Sequence, residues 1–351
     1  MNKSVRIENL MREKIRNGEW AQNTKIPTET VLCTQFAVSR NTVRSALSVL
    51  RAEGTLISRP KVGTLVASNA RQKTIYLIVG QVNNPIEAAF VRYFVRFGST
   101  RTEYNVKFYE SGFDIKREIR LLTAALKDPD SVVLISSLVS EQARKLLSSN
   151  PSRCAILGAA PELFGICCQV QTDIQAGTEQ LMDYLLEMGH RNIAYLGSYF
   201  DGLRYQVWRE RLTRIGNPPP EVMSAIAEAE CCFNIGARTR FASRFLKRIM
   251  AGEIPCSAVF CVSDVWAASL LHAAAVLGVK IPEDLSVVGF DGLYLEEDSY
   301  DNMSITTMVQ PFERIFTAAL NALENFTGER VRIFVKPEMF VGNSVARCNG
   351  K

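Results

Sequence analysis

The chain has 351 residues, 47% of them hydrophobic, which suits two or three globular units and excludes a disordered chain. No apolar run reaches the roughly 18 residues a membrane helix needs, and the opening MNKSVRIENLMREKIRNGEW lacks the apolar segment of a secretory signal. A cytoplasmic protein with no membrane partner is therefore expected.

Nine cysteines without a C-x-x-C, and only two histidines (His190 and His272), suggest reduced thiols and neither a metal site nor a cofactor. The net charge of +5 is unevenly spread: residues 1–74 carry 13 Lys/Arg against 5 Asp/Glu, the remainder 28 against 31. A small basic module on a mildly acidic body points to a polyanion partner for the first part only.

In chain order, a helix is expected from about Val5 to Asn17, with Ile7, Leu10, Met11 and Ile15 on one face and Gly18 after it. Thr28 caps a second helix facing inward through Leu32 and Phe36, and Ser39 caps a third. In the third, Val43, Ala46, Leu47 and Leu50 form one apolar stripe. Its other face carries Arg40, Asn41, Thr42 and Arg44, groups able to pair with base edges in a major groove. Gly54 ends that helix. Thr55–Val66 then reads as a hairpin with Arg59, Lys61 and Gly63 about its tip, placed to meet DNA backbone or minor groove. Three helices and a two-stranded ribbon make a winged helix-turn-helix over residues 1–67, with 68–74 (SNARQKT, counted with its last residue) as linker.

The string KIPTETVL…FAVSRNTVRSALSVLRAEGTLISRPKVGTLV resembles the DNA-binding domain of the GntR family over about 60 residues. That resemblance implies double-stranded operator DNA as partner, with Arg40 and Arg44 contacting base or phosphate, Asn41 and Thr42 supporting them, and Gly63 shaping the wing. Two positions depart from the family pattern: Thr30 stands where an arginine is common, and Lys61 where a glycine is.

Beyond the linker the texture becomes α/β. Strand-like runs at 75–80, 105–110, 131–136, 154–158, 192–197, 258–262 and 285–290 alternate with helical stretches, implying parallel sheets flanked by helices. Ligands on such sheets bind beyond the carboxyl ends of the strands, where Asn84, Ser111, Ser263, Asp264 and Asp291 lie. No nucleotide-phosphate loop and no G-x-S-x-G elbow is present, so catalysis is not expected.

The strings LLEMGHRNIAYLG, AVFCVSDVWAA, LGVKIPEDLSVVGFDG and TTMVQPF resemble the effector domain of LacI/GalR-type repressors, which is periplasmic-binding-protein-like. A GntR-type head on such a body is the arrangement of the arabinose-responsive AraR repressors. The resemblance implies two α/β subdomains over 75–345, one from 75–172 plus 293–324, the other from 173–292 plus 325–345. It further implies a homodimer on two half-sites, with a small effector, a sugar first of all, held by Arg204, Asp264, Asp291 and Gln310, with Ser263, Asn84 and Ser111 on the walls. The plainer alternatives are that Asp291 and Asp264 cap their turn and helix, and that Arg204 pairs with a neighbouring carboxylate. A nucleobase effector, or a degenerate cleft serving only dimerisation, are the other functional readings.

Overall fold

The computed structural model describes residues 3–60, 62–67, 73–101, 103–137, 140–158, 163–198, 202–217, 219–227, 231, 234–293 and 303–348. The chain divides into two compact units, residues 1–74 with 101–105, and residues 75–100 with 106–351.

In the first unit, α1 (Lys3–Arg16), α2 (Glu29–Phe36) and α3 (Arg40–Ala52) precede a hairpin of β1 (Leu56–Arg59) and β2 (Gly63–Val66). The expected apolar stripe of α3 is wholly buried, against Ile7, Met11, Trp20, Ile26 and Leu32. Thr28 and Ser39 are the N-caps, their hydroxyls accepting the N–H of Val31 and Thr42. Between the two helices Ala37 adopts a left-handed conformation (φ 51°), so its N–H closes on the last carbonyls of α2 and the chain turns sharply into Ser39. The hairpin is antiparallel with Arg59 opposite Gly63, whose φ of 115° suits glycine. Lys61 lies outside the described residues, as do 68–72 of the expected linker. Lys73 and Thr74, counted with that linker, instead begin a strand.

The second unit has two six-stranded sheets. The first takes β3 (Lys73–Val79), β4 (Tyr104–Glu110), β5 (Val132–Ile135), β6 (Cys154–Leu157), β7 (Cys168–Thr172) and β13 (Arg332–Val335) in the order β13-β7-β6-β5-β3-β4. Its helices are α4 (Pro85–Ser99), α5 (Ile115–Leu126) and α6 (Glu141–Ser148). The second sheet orders β14 (Glu338–Phe340), β12 (Thr306–Val309), β11 (Ser286–Asp291), β10 (Ala258–Cys261), β8 (Ile193–Ser198) and β9 (Ser224–Ala227). Around it lie α7 (Ile174–Glu187), α8 (Gly202–Arg214), α9 (Ile235–Met250) and α10 (Asp264–Leu277), while α11 (Phe312–Glu324) lies on β6 and β7 of the first sheet. Strands such as VVLI, CAIL and AVFC are buried on both faces, as parallel pairing between helix layers requires.

The chain crosses between sheets three times, after β7, between β12 and α11, and between β13 and β14. The second and third crossings correct the expected boundaries at 292/293 and 324/325. TTMV at 306–309 pairs with β11 and stays in the second sheet, whereas RIFV at 332–335 returns to pair with β7 in the first. Four-residue strands carry too little periodicity to be told from loop, so these crossings were not legible.

Two buried polar groups fasten the unit. His190 donates from Nε2 to the Ala346 carbonyl at 3.0 Å and accepts at Nδ1 from the Ser257 hydroxyl at 2.8 Å, pinning the C-terminal segment. Burial lowers its pKa, keeping the ring neutral. Glu87, in the first turn of α4, is buried and accepts from the Ser136 and Ser137 hydroxyls at 2.6 and 2.5 Å and the Gly80 N–H at 3.3 Å. This carboxylate ties together the carboxyl ends of β3 and β5. Among the described residues, no helix is long and apolar enough to cross a membrane.

Candidate ligand cleft and nucleic-acid interface

On the first unit, α3 presents Arg40 and Arg44 with side chains 61% and 59% exposed. Both converge on Glu29 at the start of α2: Arg44 donates through Nε at 2.9 Å, and the Nε of Arg40 is 3.6 Å from the same oxygen. Arg40 also donates to the Thr30 hydroxyl at 3.4 Å. Asn41 is exposed beside them, while Thr42 is half-buried and its hydroxyl meets that of Ser39 at 2.9 Å. Thr28 and Ser39 are thus engaged as caps, although both remain exposed. Arg59 is exposed at the end of β1. An exposed arginine pair near a helix N-terminus, over a rigid three-helix core, can enter a major groove and meet bases and phosphates.

In the second unit a cavity of about 370 Å³ opens among elements of both sheets. Of the expected residues, Asn84, Arg204, Ser263, Asp291 and Gln310 all line it. The centre is Asp291, last residue of β11, which is buried and held at φ 112°. One of its carboxylate oxygens accepts from Arg204 Nη2 at 3.2 Å and from Gln310 Nε2 at 2.7 Å. Gln310 Oε1 in turn accepts the Thr172 hydroxyl at 2.7 Å, so the network runs from the second sheet to the end of β7 in the first. The Arg204 guanidinium lies over the Phe290 ring, 4.2 Å from its centroid, which buries the cation at a favourable face. A non-glycine residue at such a φ is strained, and strain of this kind persists where a side chain must be aimed.

Asp264 and Ser111 are not among the lining residues. Asp264 lies buried at the start of α10, accepting the Thr307 hydroxyl at 2.6 Å and the Leu293 N–H at 2.7 Å. It thereby pins the turn after Asp291. Burial, with the nearby Asp291 charge, pushes its pKa up to about 7. Gly289 leaves it room, since a Cβ there would stand 2.2 Å from its carboxylate oxygen. Ser111 is buried, its N–H on the Val79 carbonyl.

Thr172 and Ser198 line the cavity and were not singled out in the sequence. Each ends a strand, but β7 was not read as one, and the end of β8 was placed one residue early. Trp266 is buried and also lines the cavity, with Phe90. Trp208 is a core residue whose indole N–H is donated to the Ile193 carbonyl at 3.1 Å.

Comparison with known proteins agrees with both units. Residues 3–66 match the family described as bacterial regulatory proteins, gntR family, and residues 182–344 match the periplasmic binding protein-like domain. The chain is 26% identical to an arabinose metabolism transcriptional repressor of Geobacillus stearothermophilus, over 94% of each chain. It is 23% identical to catabolite control protein A of Priestia megaterium, over 76% of this chain and 79% of that one. A LacI family transcriptional regulator of Enterococcus faecium, solved with bound ribose, matches in structure with a TM-score of 0.62 at 18% identity, covering 79% of this chain and all of the other.

Proposed function

We propose that this chain, a gntR-type head joined to a periplasmic-binding-protein-like body, is a cytoplasmic transcriptional repressor whose hold on operator DNA is set by a small ligand in the cleft. The observation that carries the reading is the convergence of Asp291, Arg204 and Gln310, from three separate elements, on one cavity between two sheets. A carboxylate, a guanidinium and an amide form a donor and acceptor set that suits vicinal hydroxyls, so a sugar is the first ligand class. The arabinose repressor among the relatives and the ribose-bound regulator support the same class.

The body binds and does not catalyse. Asp264, the carboxylate whose pKa is raised, lies outside the cavity lining, and Asp291 within it is paired with Arg204 and Gln310, an arrangement that suits holding a ligand. The head reads double-stranded DNA through Arg40 and Arg44, aided by Asn41, Arg59 and Lys61. Two heads on two half-sites require a homodimer. The outer strands β4 and β9, with exposed Phe108, Tyr109 and Ile226, support one built along these edges. Ligand binding shifts the populations of cleft conformations and thereby the head spacing, by no more than its differential affinity for them.

A planar nucleobase is the second reading, favoured by Phe90 and Trp266 in the cavity lining. A thermal-shift screen of the full chain against pentoses, hexoses and nucleobases separates the two. A sugar that raises the melting temperature in wild type but not in Asp291→Ala supports the first reading. A panel in which only nucleobases act supports the second, and one in which nothing acts assigns the body to dimerisation alone.

A further inference from the structure

The two arginines of the DNA-reading face share one acceptor that belongs to a different helix. Glu29 is the first residue of α2, directly after its capping Thr28, so its Cα is fixed to the core of the head. Its Oε2 receives Arg44 Nε at 2.9 Å and lies 3.6 Å from Arg40 Nε, while Arg40 Nη2 reaches the Thr30 hydroxyl at 3.4 Å.

We propose that Glu29 is a specificity-determining positioning residue, which aims Arg40 and Arg44 for base readout and weakens their attraction to phosphate at non-cognate DNA. The inference rests on the reading of the head as a DNA-binding module.

Two physical arguments lead there. First, an arginine reads guanine through two parallel N–H bonds, and the guanidinium has two edges able to supply them. Glu29 occupies the Nε side of Arg44, which selects the Nη1–Nη2 edge for the groove. An arginine so paired has fewer rotamers left to lose when DNA arrives, and a bidentate contact gains from that preorganisation. Second, phosphate attraction supplies essentially all non-specific binding. A carboxylate 2.9 Å from one arginine and 3.6 Å from the other competes with phosphate for the same cations. It penalises every sequence alike, whereas the aimed contact is recovered only on the correct bases. Thr30, where the resembled family often has arginine, adds no further cation to this cluster.

The test uses the full chain and two probes, a duplex enriched by the wild-type protein from a random pool and an arbitrary duplex of equal length. Affinities are measured over a salt series for wild type, Glu29→Gln and Glu29→Asp. In Glu29→Gln the arbitrary duplex is expected to bind several-fold tighter, with a salt slope steeper by about 0.9 per phosphate gained. The enriched duplex should bind no tighter, so the specificity ratio falls roughly tenfold. Glu29→Asp, which keeps the charge, should recover part of the ratio.

An unchanged ratio and slope in Glu29→Gln would overturn the proposal. So would equal weakening on both duplexes together with a lower melting temperature, the outcome for a residue that merely stabilises α2. Should the wild type enrich no sequence, the DNA-reading assignment fails and carries this inference with it. A wild type that enriches a sequence while the variant keeps its ratio sinks the Glu29 role alone.

Discussion

Arg204 and Asp291 are 87 positions apart in the sequence, yet Arg204 Nη2 donates to Asp291 Oδ1 at 3.2 Å in the wall of the cleft. Both are almost fully buried, so each offsets part of the other's charge in a setting where water cannot. Breaking a buried pair leaves a charge exposed to the low-dielectric interior at a cost of about 3–5 kcal/mol, while replacing both partners costs much less. Asp291→Ala should therefore destabilise the body more than the double variant Asp291→Ala/Arg204→Met. Urea melts of the four proteins in a cycle measure the coupling, and additive losses would show that the pair is not a unit.

The pH response of the body should carry the signature of Asp264. Its pKa is raised to about 7 by burial and by the Asp291 charge, above the ordinary carboxylate value it regains on unfolding. A group raised on folding contributes its full stability below the unfolded pKa and loses that contribution as pH climbs through the folded one. Between about pH 4 and 7 the group should thus tilt stability downward by as much as about 1.4 kcal/mol per pH unit. His190, whose pKa is lowered, works the other way, losing stability as pH falls below about 6.5. The difference between wild type and Asp264→Asn isolates the Asp264 part, and parallel stability profiles for the two would refute it.

Ala37 is a left-handed residue with a Cβ at the sharpest turn of the head. Ala37→Gly removes the steric cost of that conformation, offset in part by the greater freedom of glycine in the unfolded chain. The head should gain up to about 1 kcal/mol, visible as a raised midpoint in its own unfolding transition. Ser39→Ala next to it should lose about 1 kcal/mol by leaving the first turn of α3 uncapped. Equal midpoints for the three proteins would contradict the capping and turn geometry.

On the reading face, Arg44→Ala should weaken binding to an enriched duplex by about 1–3 kcal/mol and relax preference at one base position. Selection from a random pool by wild type and variant, compared position by position, reads this directly. An unchanged sequence preference would remove Arg44 from the base contacts.

The head was nearly complete in its sequence because its information is local. The stripe of Val43, Ala46, Leu47 and Leu50 and the caps Thr28 and Ser39 are set within a few residues. In the body, Asp291 could be placed because it closes a legible strand run, the place where such sheets hold ligands. Gln310 could be placed only through the resemblance of TTMVQPF to the LacI/GalR-type effector domain. The depth of Asp264 could not be read. It depends on Gly289 leaving space and on Thr307 and Leu293 supplying donors, all from other elements. Nor could the convergence of Arg40 and Arg44 on Glu29, since sequence shows an exposed basic helix but not the acceptor that a neighbouring helix brings beneath it. The later crossings were missed for a similar reason: TTMV and RIFV differ little in texture, and only their pairing partners send one to each sheet.

The central claim is that a ligand at Asp291 controls DNA held by the head. It is tested most directly by the anisotropy of a labelled, enriched duplex bound to the full chain at fixed salt. The duplex is titrated with each compound that raises the melting temperature of the protein. A cleft ligand should change duplex affinity in wild type, and Asp291→Asn should keep the ligand-free affinity while losing the response. If every compound that stabilises the protein leaves duplex affinity unchanged, or if Asp291→Asn responds as wild type does, the coupling of cleft to head is wrong.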